Sequence, residues 1–99
     1  MVIGHEITHG YDDQGKQYDS TGSLSNWWKP ETDDQFQKKA QCIEWQYGNY
    51  TVKQVNMTIN GIATLGENIA DNGGIREAYH AYGMFFAFKR LRSKLFKMI

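Results

Sequence analysis

Ninety-nine residues, 40% hydrophobic and 22% charged with one Pro and one Cys, set the scale of a single soluble globular domain and exclude disorder, collagen and coiled coil. Folding at this length buries roughly 60 to 68% of the unfolded surface, too little to enclose the pocket of a large multi-lobed enzyme. The net charge of zero is unevenly spread, with a body of −5 over positions 1–77 that argues against a nucleic-acid footprint, and a tail of +5 over positions 78–99 that alone suits anionic partners.

The opening, Val2 to His9, predicts a helix: Val2, His5, Glu6 and His9 fall at i, i+3, i+4 and i+7, with Ile3 and Ile7 on a neighbouring stripe and Gly10 as a stop. From Asp12 to Gly22 the chain is rich in Asp, Gly, Ser and Gln. This reads as an irregular loop or hairpin turning near Gly15 and Gly22, closed by Asn26-Trp27-Trp28-Lys29-Pro30. Phe36, Ala40, Ile43, Tyr47 and Tyr50 then recur at helical spacing, predicting a second helix over about Thr32 to Tyr47. Residues 48–61 read as a polar connection, and a third helix is expected from near Thr64 through Tyr82. Past it, Phe88, Leu91, Leu95 and Ile99 share one helical face and Lys89, Arg90, Lys94 and Lys97 the other, with Arg92 the exception; such a tail could lie on an anionic membrane.

The longest apolar run, Tyr82 to Phe88, is seven residues, against the roughly 20 that a spanning helix needs. Nor do Met1-Val2-Ile3-Gly4, meeting His5 and Glu6 at once, resemble a secretory signal, so secretion would require one upstream of this chain. Cys42 has no second cysteine here; it is a buried thiol or half of a bond completed elsewhere.

The chemistry concentrates in His5-Glu6-Ile7-Thr8-His9, an H-E-x-x-H motif. Histidines four apart stand one above the other on a helix, and their ring nitrogens can come within the roughly 3.3 Å that two ligands of one tetrahedral zinc require. Glu6 lies about 100° round the helix, displaced from the metal but within reach of a water on it, the place for a general base. A catalytic zinc takes a third protein ligand and leaves a fourth position open, and Glu67 is the strongest candidate. It shares a face with Asp71, which could accept a hydrogen bond from the outer nitrogen of a ligating histidine. The same Glu67 also fits a capping box with Thr64, in which it folds back on the helix start, and the spacing alone leaves both readings open.

Gly74, Ala78 and Ala81 lie near Glu67 on the helical wheel, a small-residue stripe against which the His5/His9 helix can pack closely. His80 points elsewhere and is not counted. Asp12 could orient His9 as Asp71 would His5, or be an ordinary loop acid beside Asp13. A calcium loop starting at Asp12 fails at Lys16 and Gln17.

These stretches together, Val2 to Asp13, Trp27-Trp28, Gln46-Tyr47-Gly48-Asn49, Asn60-Gly61 and Thr64 to Gly74, resemble the neprilysin and endothelin-converting-enzyme family of zinc peptidases over residues 1–82. The resemblance implies a mainly α, zincin-type catalytic-core fragment of three helices with an irregular loop or hairpin after the first. It implies one Zn2+ per chain held by His5, His9 and Glu67, with Glu6 as base and Asp71, also needed for catalysis, and Asp12 on the outer nitrogens of His5 and His9. It implies peptide substrates with a hydrophobic P1′ residue and an extracellular or cell-surface ectodomain, anchored through a segment upstream. Asn49-Tyr50-Thr51 and Asn56-Met57-Thr58 are glycosylation sequons that fit this setting. Cys42 resembles a family cysteine that pairs near the C-terminus. The family's substrate-binding Asn-Ala strand and its downstream His and Arg have no counterpart, and the match is lost from Gly83. Residues 1–82 are thus expected to be a partial zinc peptidase domain and residues 83–99 a divergent basic amphipathic tail. The expected activity is zinc-dependent endopeptidase chemistry, feeble in the chain alone; the rival is an incomplete zinc-binding fragment with a role in association.

Overall fold

Helix α1 spans Val2–Thr8 and tightens directly into a 3-10 turn, His9–Tyr11, in the computed structural model, which describes residues 1–96. The expected stop at Gly10 is therefore a narrowing of the helix one residue earlier. A second 3-10 turn, Gly15–Gln17, and a lone antiparallel bridge between Tyr18 and Leu24 shape the irregular loop, which reverses at Gly22. Gly22 has φ of +78°, a conformation open to glycine at little cost.

Helix α2, Pro30–Gly48, starts two residues before the expected Thr32 because Pro30 occupies the first turn, where its fixed φ suits a helix and its missing N–H is no loss. Glu31 and Asp33 in that turn face the positive end of the helix dipole. The loop is fastened to α2 by Lys16, whose ammonium pairs with Asp33 and lies 5.5 Å from the Trp28 ring centre and 5.1 Å from that of Phe36. Cys42 is exposed, which removes the buried-thiol alternative.

The polar connection holds a feature that its composition conceals. Strands β1, Thr51–Val52, and β2, Met57–Thr58, pair antiparallel with Thr51 opposite Thr58. The chain then returns to α2 at Gly61, where a side chain would strike the Glu44 carbonyl. Helix α3, Leu65–Phe96, begins as expected but runs 14 residues past Tyr82 without a break. Ala81 is exposed, so of the small stripe only Gly74 is buried, with Ala78 half-buried. Of the tail residues, Lys97 and Ile99 lie outside the described residues, as do the side chains of Leu91, Arg92, Lys94 and Leu95.

The layout is α1 antiparallel to the first half of α3, with α2 also against that half of the helix. Asn72 Nδ2 donates to the Tyr47 hydroxyl at 3.1 Å, tying α2 to α3. Only Ala40 and Ala70 form a buried apolar core among the described residues, and the radius of gyration is 18.7 Å, against about 13 Å for a compact domain of this size. The interface between α1 and α3 is made by backbone contact rather than by large side chains. A Cβ on Gly74 would lie 2.6 Å from the His5 nitrogen and 2.9 Å from the Met1 oxygen, so glycine is what lets the helices approach.

Candidate metal centre

That approach brings His5, His9 and Glu67 together. His5 Nε2 and His9 Nε2 are 3.0 Å apart, and Glu67 Oε2 lies 3.5 Å from the first and 3.7 Å from the second. The i,i+4 spacing of α1 supplies the first distance, and the crossing of α1 over the start of α3 supplies the other two.

The outer nitrogens are held as well. His5 Nδ1 donates to Asp71 Oδ1 at 2.9 Å and His9 Nδ1 to Asp12 Oδ2 at 2.7 Å. With each imidazole donating its N–H outward, each Nε2 keeps a bare lone pair aimed inward, so the 3.0 Å contact is not a hydrogen bond between neutral rings. Two lone pairs and a carboxylate oxygen face one point. Their separations bracket the roughly 3.3 Å edge of a tetrahedral zinc site, and two imidazoles with one carboxylate are a donor set that zinc accepts. The residues present therefore fit a zinc ion.

The two flanking acids differ in setting. Asp71 is half exposed, with its side chain 52% accessible, whereas that of Asp12 is 7% accessible. Asp12 Oδ1 accepts the backbone N–H groups of Gln14 at 2.9 Å and Gly15 at 2.7 Å. Burial is the largest influence on Asp12 and pushes its pKa up, but the Gly15 N–H, the His9 ring and the Gln14 N–H together outweigh it and hold the carboxyl below its ordinary range. The Asp12 hydrogen bond raises His9 above the usual imidazole value against partial desolvation, with Glu67 and Glu6 adding to the rise. Glu6 itself is exposed on α1 beside this cluster.

The capping-box reading of Glu67 does not hold. The Thr64 hydroxyl donates to the Asn60 carbonyl at 3.0 Å and accepts Asn68 Nδ2 at 2.8 Å, while Glu67 turns its carboxylate to the imidazoles. Nor is Asp12 an ordinary loop acid. The N–H pair of Gln14 and Gly15 that secures it went unread in the sequence, although Asp followed by a glycine three residues on is the signal for such an Asx-type turn. A cleft of about 410 Å³ opens beside His9 and Glu67, with Ile62 and Ala63 on its wall. His80 is exposed on α3, and Asn49 and Asn56 are exposed around the hairpin.

Residues 1–94 match the profile of Peptidase family M13. The chain is 58% identical over 82 residues to Neprilysin-2 of Caenorhabditis elegans and 52% identical over 83 residues to neprilysin of Oryctolagus cuniculus; each match takes in 83% of this chain and 11% of the relative. Among solved structures, the zinc metalloprotease Zmp1 of Mycobacterium tuberculosis, crystallised with an inhibitor, superposes with a TM-score of 0.82 at 40% identity over 87% of this chain and 14% of that one. PepO of Lactobacillus rhamnosis superposes with a TM-score of 0.72 at 36% identity over 76% of this chain and 12% of its own. The chain thus spans about a tenth of the length of the curated relatives it matches. A helix-borne histidine pair, an acid delivered by an antiparallel helix and a sequence this close to the neprilysins all have one explanation: the chain belongs to the neprilysin and endothelin-converting-enzyme family, Peptidase family M13.

Proposed function

We propose that this chain is the catalytic-core segment of a zinc-dependent metalloendopeptidase, holding one Zn2+ through His5, His9 and Glu67. The observation that carries this reading is the inward convergence of two imidazole lone pairs and one carboxylate oxygen, with both outer nitrogens anchored to acids. Zinc, when bound, supplies Lewis acidity toward a substrate carbonyl and makes nearby water a stronger acid. Glu6 takes the proton of the attacking water on its carboxylate and returns it to the leaving amine. Asp71 and Asp12 keep the Nδ1 protons in place, fixing the tautomer that leaves Nε2 free and adding to its basicity.

The substrates are peptides with a hydrophobic P1′ residue, and the setting is an extracellular or cell-surface ectodomain; no described helix is long and apolar enough to cross a membrane. Exposed Asn49 and Asn56 are the glycan acceptors, and exposed Cys42 is half of a disulfide with a partner outside this sequence. Residues 1–82 are the peptidase part and residues 83–99 a basic tail, which α3 enters without a break and which the family profile still covers to residue 94.

A second reading, a zinc-binding fragment that associates without catalysing, is favoured by one observation: the apolar side chains Ile3, Ile7, Trp45 and Tyr79 are all more than half exposed. Elemental analysis and a quenched-peptide assay separate the two. In a full-length family context Glu6→Gln keeps stoichiometric zinc and abolishes hydrolysis, whereas His5→Ala, His9→Ala or Glu67→Ala loses the metal. Zinc loss in Glu6→Gln equal to that in the histidine variants overturns the assignment of Glu6 as base.

A further inference from the structure

One carboxylate beside the metal centre has an oxygen without a partner. Asp13 follows Asp12 just after the 3-10 turn His9–Tyr11, and its Oδ1 is shut off from solvent yet makes no hydrogen bond. Its Oδ2 accepts only Gln14 Nε2, at 3.2 Å. Burying a carboxylate oxygen without a donor is costly, so its surroundings must offset the loss of water. What lies against it is the start of α3. A Cβ on Gly66, the second residue of that helix, would stand 3.1 Å from Asp13 Oδ1 and 3.1 Å from Asp12 Oδ2.

That first turn has donors without acceptors. The Leu65 N–H reaches the Ile62 carbonyl at 3.3 Å and the Asn68 N–H the Thr64 carbonyl at 3.0 Å, but the N–H groups of Gly66 and Glu67 between them find no acceptor among the described residues. Thr64 stands where a capping hydroxyl belongs, yet it donates to the Asn60 carbonyl and accepts Asn68 Nδ2 instead. Asp12 is committed to His9 and to the Gln14 and Gly15 N–H groups. The unpaired oxygen of Asp13 and the unpaired N–H groups thus meet at one residue, Gly66. A helix of 32 residues also presents the positive end of its dipole there, which favours an anion.

We propose that Asp13 caps α3 across the chain and thereby positions Glu67, the third ligand of the proposed zinc site. Glu67 follows Gly66 directly, so an anchor on this turn fixes the backbone from which its carboxylate reaches His5 and His9. Two neighbouring acids then divide the work: Asp12 orients an imidazole on α1, and Asp13 holds the helix that delivers the carboxylate to it. Asp13 makes no hydrogen bond to a ligand side chain, so it is a positioning residue, and the inference rests on the reading of Glu67 as a ligand.

Two measurements on the whole chain test it. In the metal-free protein the Gly66 and Glu67 amides are expected to exchange at least about tenfold more slowly than unprotected peptide groups, because a carboxylate holds them. Exchange at the unprotected rate overturns the proposal without any variant. Calorimetric zinc titration, carried to millimolar metal so that the histidine pair alone still registers, then asks whether Asp13 acts through Glu67. Asp13→Ala is expected to lower zinc affinity about tenfold in the wild-type background and less than about twofold in a Glu67→Ala background, where no third ligand remains to be placed. Asp13→Asn, whose amide oxygen caps a helix nearly as well, is expected to stay within about threefold of the wild type. No loss in Asp13→Ala, an equal loss in both backgrounds, or an Asn variant as weak as the Ala variant overturns the proposal, the last two because Asp13 would then act as a general negative charge. A Glu67→Ala affinity equal to that of the wild type removes Glu67 from the metal, and overturns the ligand reading together with the proposal.

Discussion

At the scale of single residues, the two acids behind the imidazoles do the same job at different cost. Asp71 makes one hydrogen bond from a half-exposed position, so Asp71→Ala frees His5 and is expected to weaken zinc about 10- to 100-fold with little change in stability. Asp12 also accepts two backbone N–H groups from a nearly buried site. Asp12→Ala leaves these donors without their acceptor and is expected to cost a further 1 to 3 kcal/mol or so of stability. Chelator competition reads the first effect and thermal unfolding the second; equal loss of stability in both variants would contradict the distinction. Asp19 shows the same chemistry in the open. Its carboxylate accepts the Thr21 hydroxyl, which is the main reason its pKa is lowered, and the Thr21 and Ser23 N–H groups. A depressed pKa means that the stabilisation is present above the unfolded value and lost as pH falls through the folded one. Amide exchange at Thr21 and Ser23 should therefore speed up in strong acid relative to the rest of the loop, and Asp19→Asn should reduce that acid-induced change.

At the scale of elements, the distances from Glu67 to His5 and His9 are set by how close α1 lies to α3, and Gly74 sets that closeness. Gly74→Ala touches no ligand, yet its methyl meets the His5 backbone, and α1 must move away from Glu67. We expect zinc affinity to fall at least about tenfold and stability by about 1 to 3 kcal/mol, because a site 1 Å loose loses much of its grip. Wild-type zinc affinity in Gly74→Ala would show that α1 has room to adjust. The elements themselves were unequally legible. His5 and His9 could be read because one helical period joins them, and α2 because Phe36, Ala40, Ile43 and Tyr47 keep a strict apolar face. The hairpin could not: its strands are two residues long and exposed on both faces, so no alternation of burial marks them. The role of Glu67 was ambiguous because a capping box and a ligand have the same local spacing; only the position of α1, distant in sequence, separates them. The length of α3 was under-read because the resemblance fades at Gly83, whereas the structure carries the helix straight through it.

At the scale of the molecule, the chain brings together three donor atoms that could hold a metal, on a framework with hardly any core among the described residues. Ligand binding to the folded state adds stability by mass action, so zinc is expected to raise the unfolding midpoint by several degrees and a chelator to reverse it. Catalysis asks for more than binding. With Glu67 more than half exposed and the cleft open to solvent, water is not excluded from it. The isolated chain is therefore expected to bind zinc weakly and to turn over a peptide with a hydrophobic P1′ residue at least about 100-fold more slowly than a full family enzyme. Chelator-sensitive turnover at the full enzyme's rate, lost in Glu6→Gln, would contradict this.

The antiparallel meeting of α1 with α3 would make a bound metal a reversible cross-link. His5 and Glu67 stand at opposite ends of a long loop, 62 positions apart (67 − 5), and an ion shared by His5, His9 and Glu67 would tie those ends together. A permanent link over such a span restricts the unfolded chain by about 4 kcal/mol, whereas this one exists only while the ion stays. It also orders assembly. The histidines, neighbours on one helix, can capture an ion before the loop closes, and Glu67 completes the clasp afterwards. A chain nicked by protease at the exposed stretch from Thr21 to Leu24 should then migrate as one species with zinc present and separate into two pieces when the metal is chelated. Size-exclusion chromatography of the nicked chain, with and without chelator, reads this directly; pieces that separate with zinc still bound would show that the clasp is too weak to hold them.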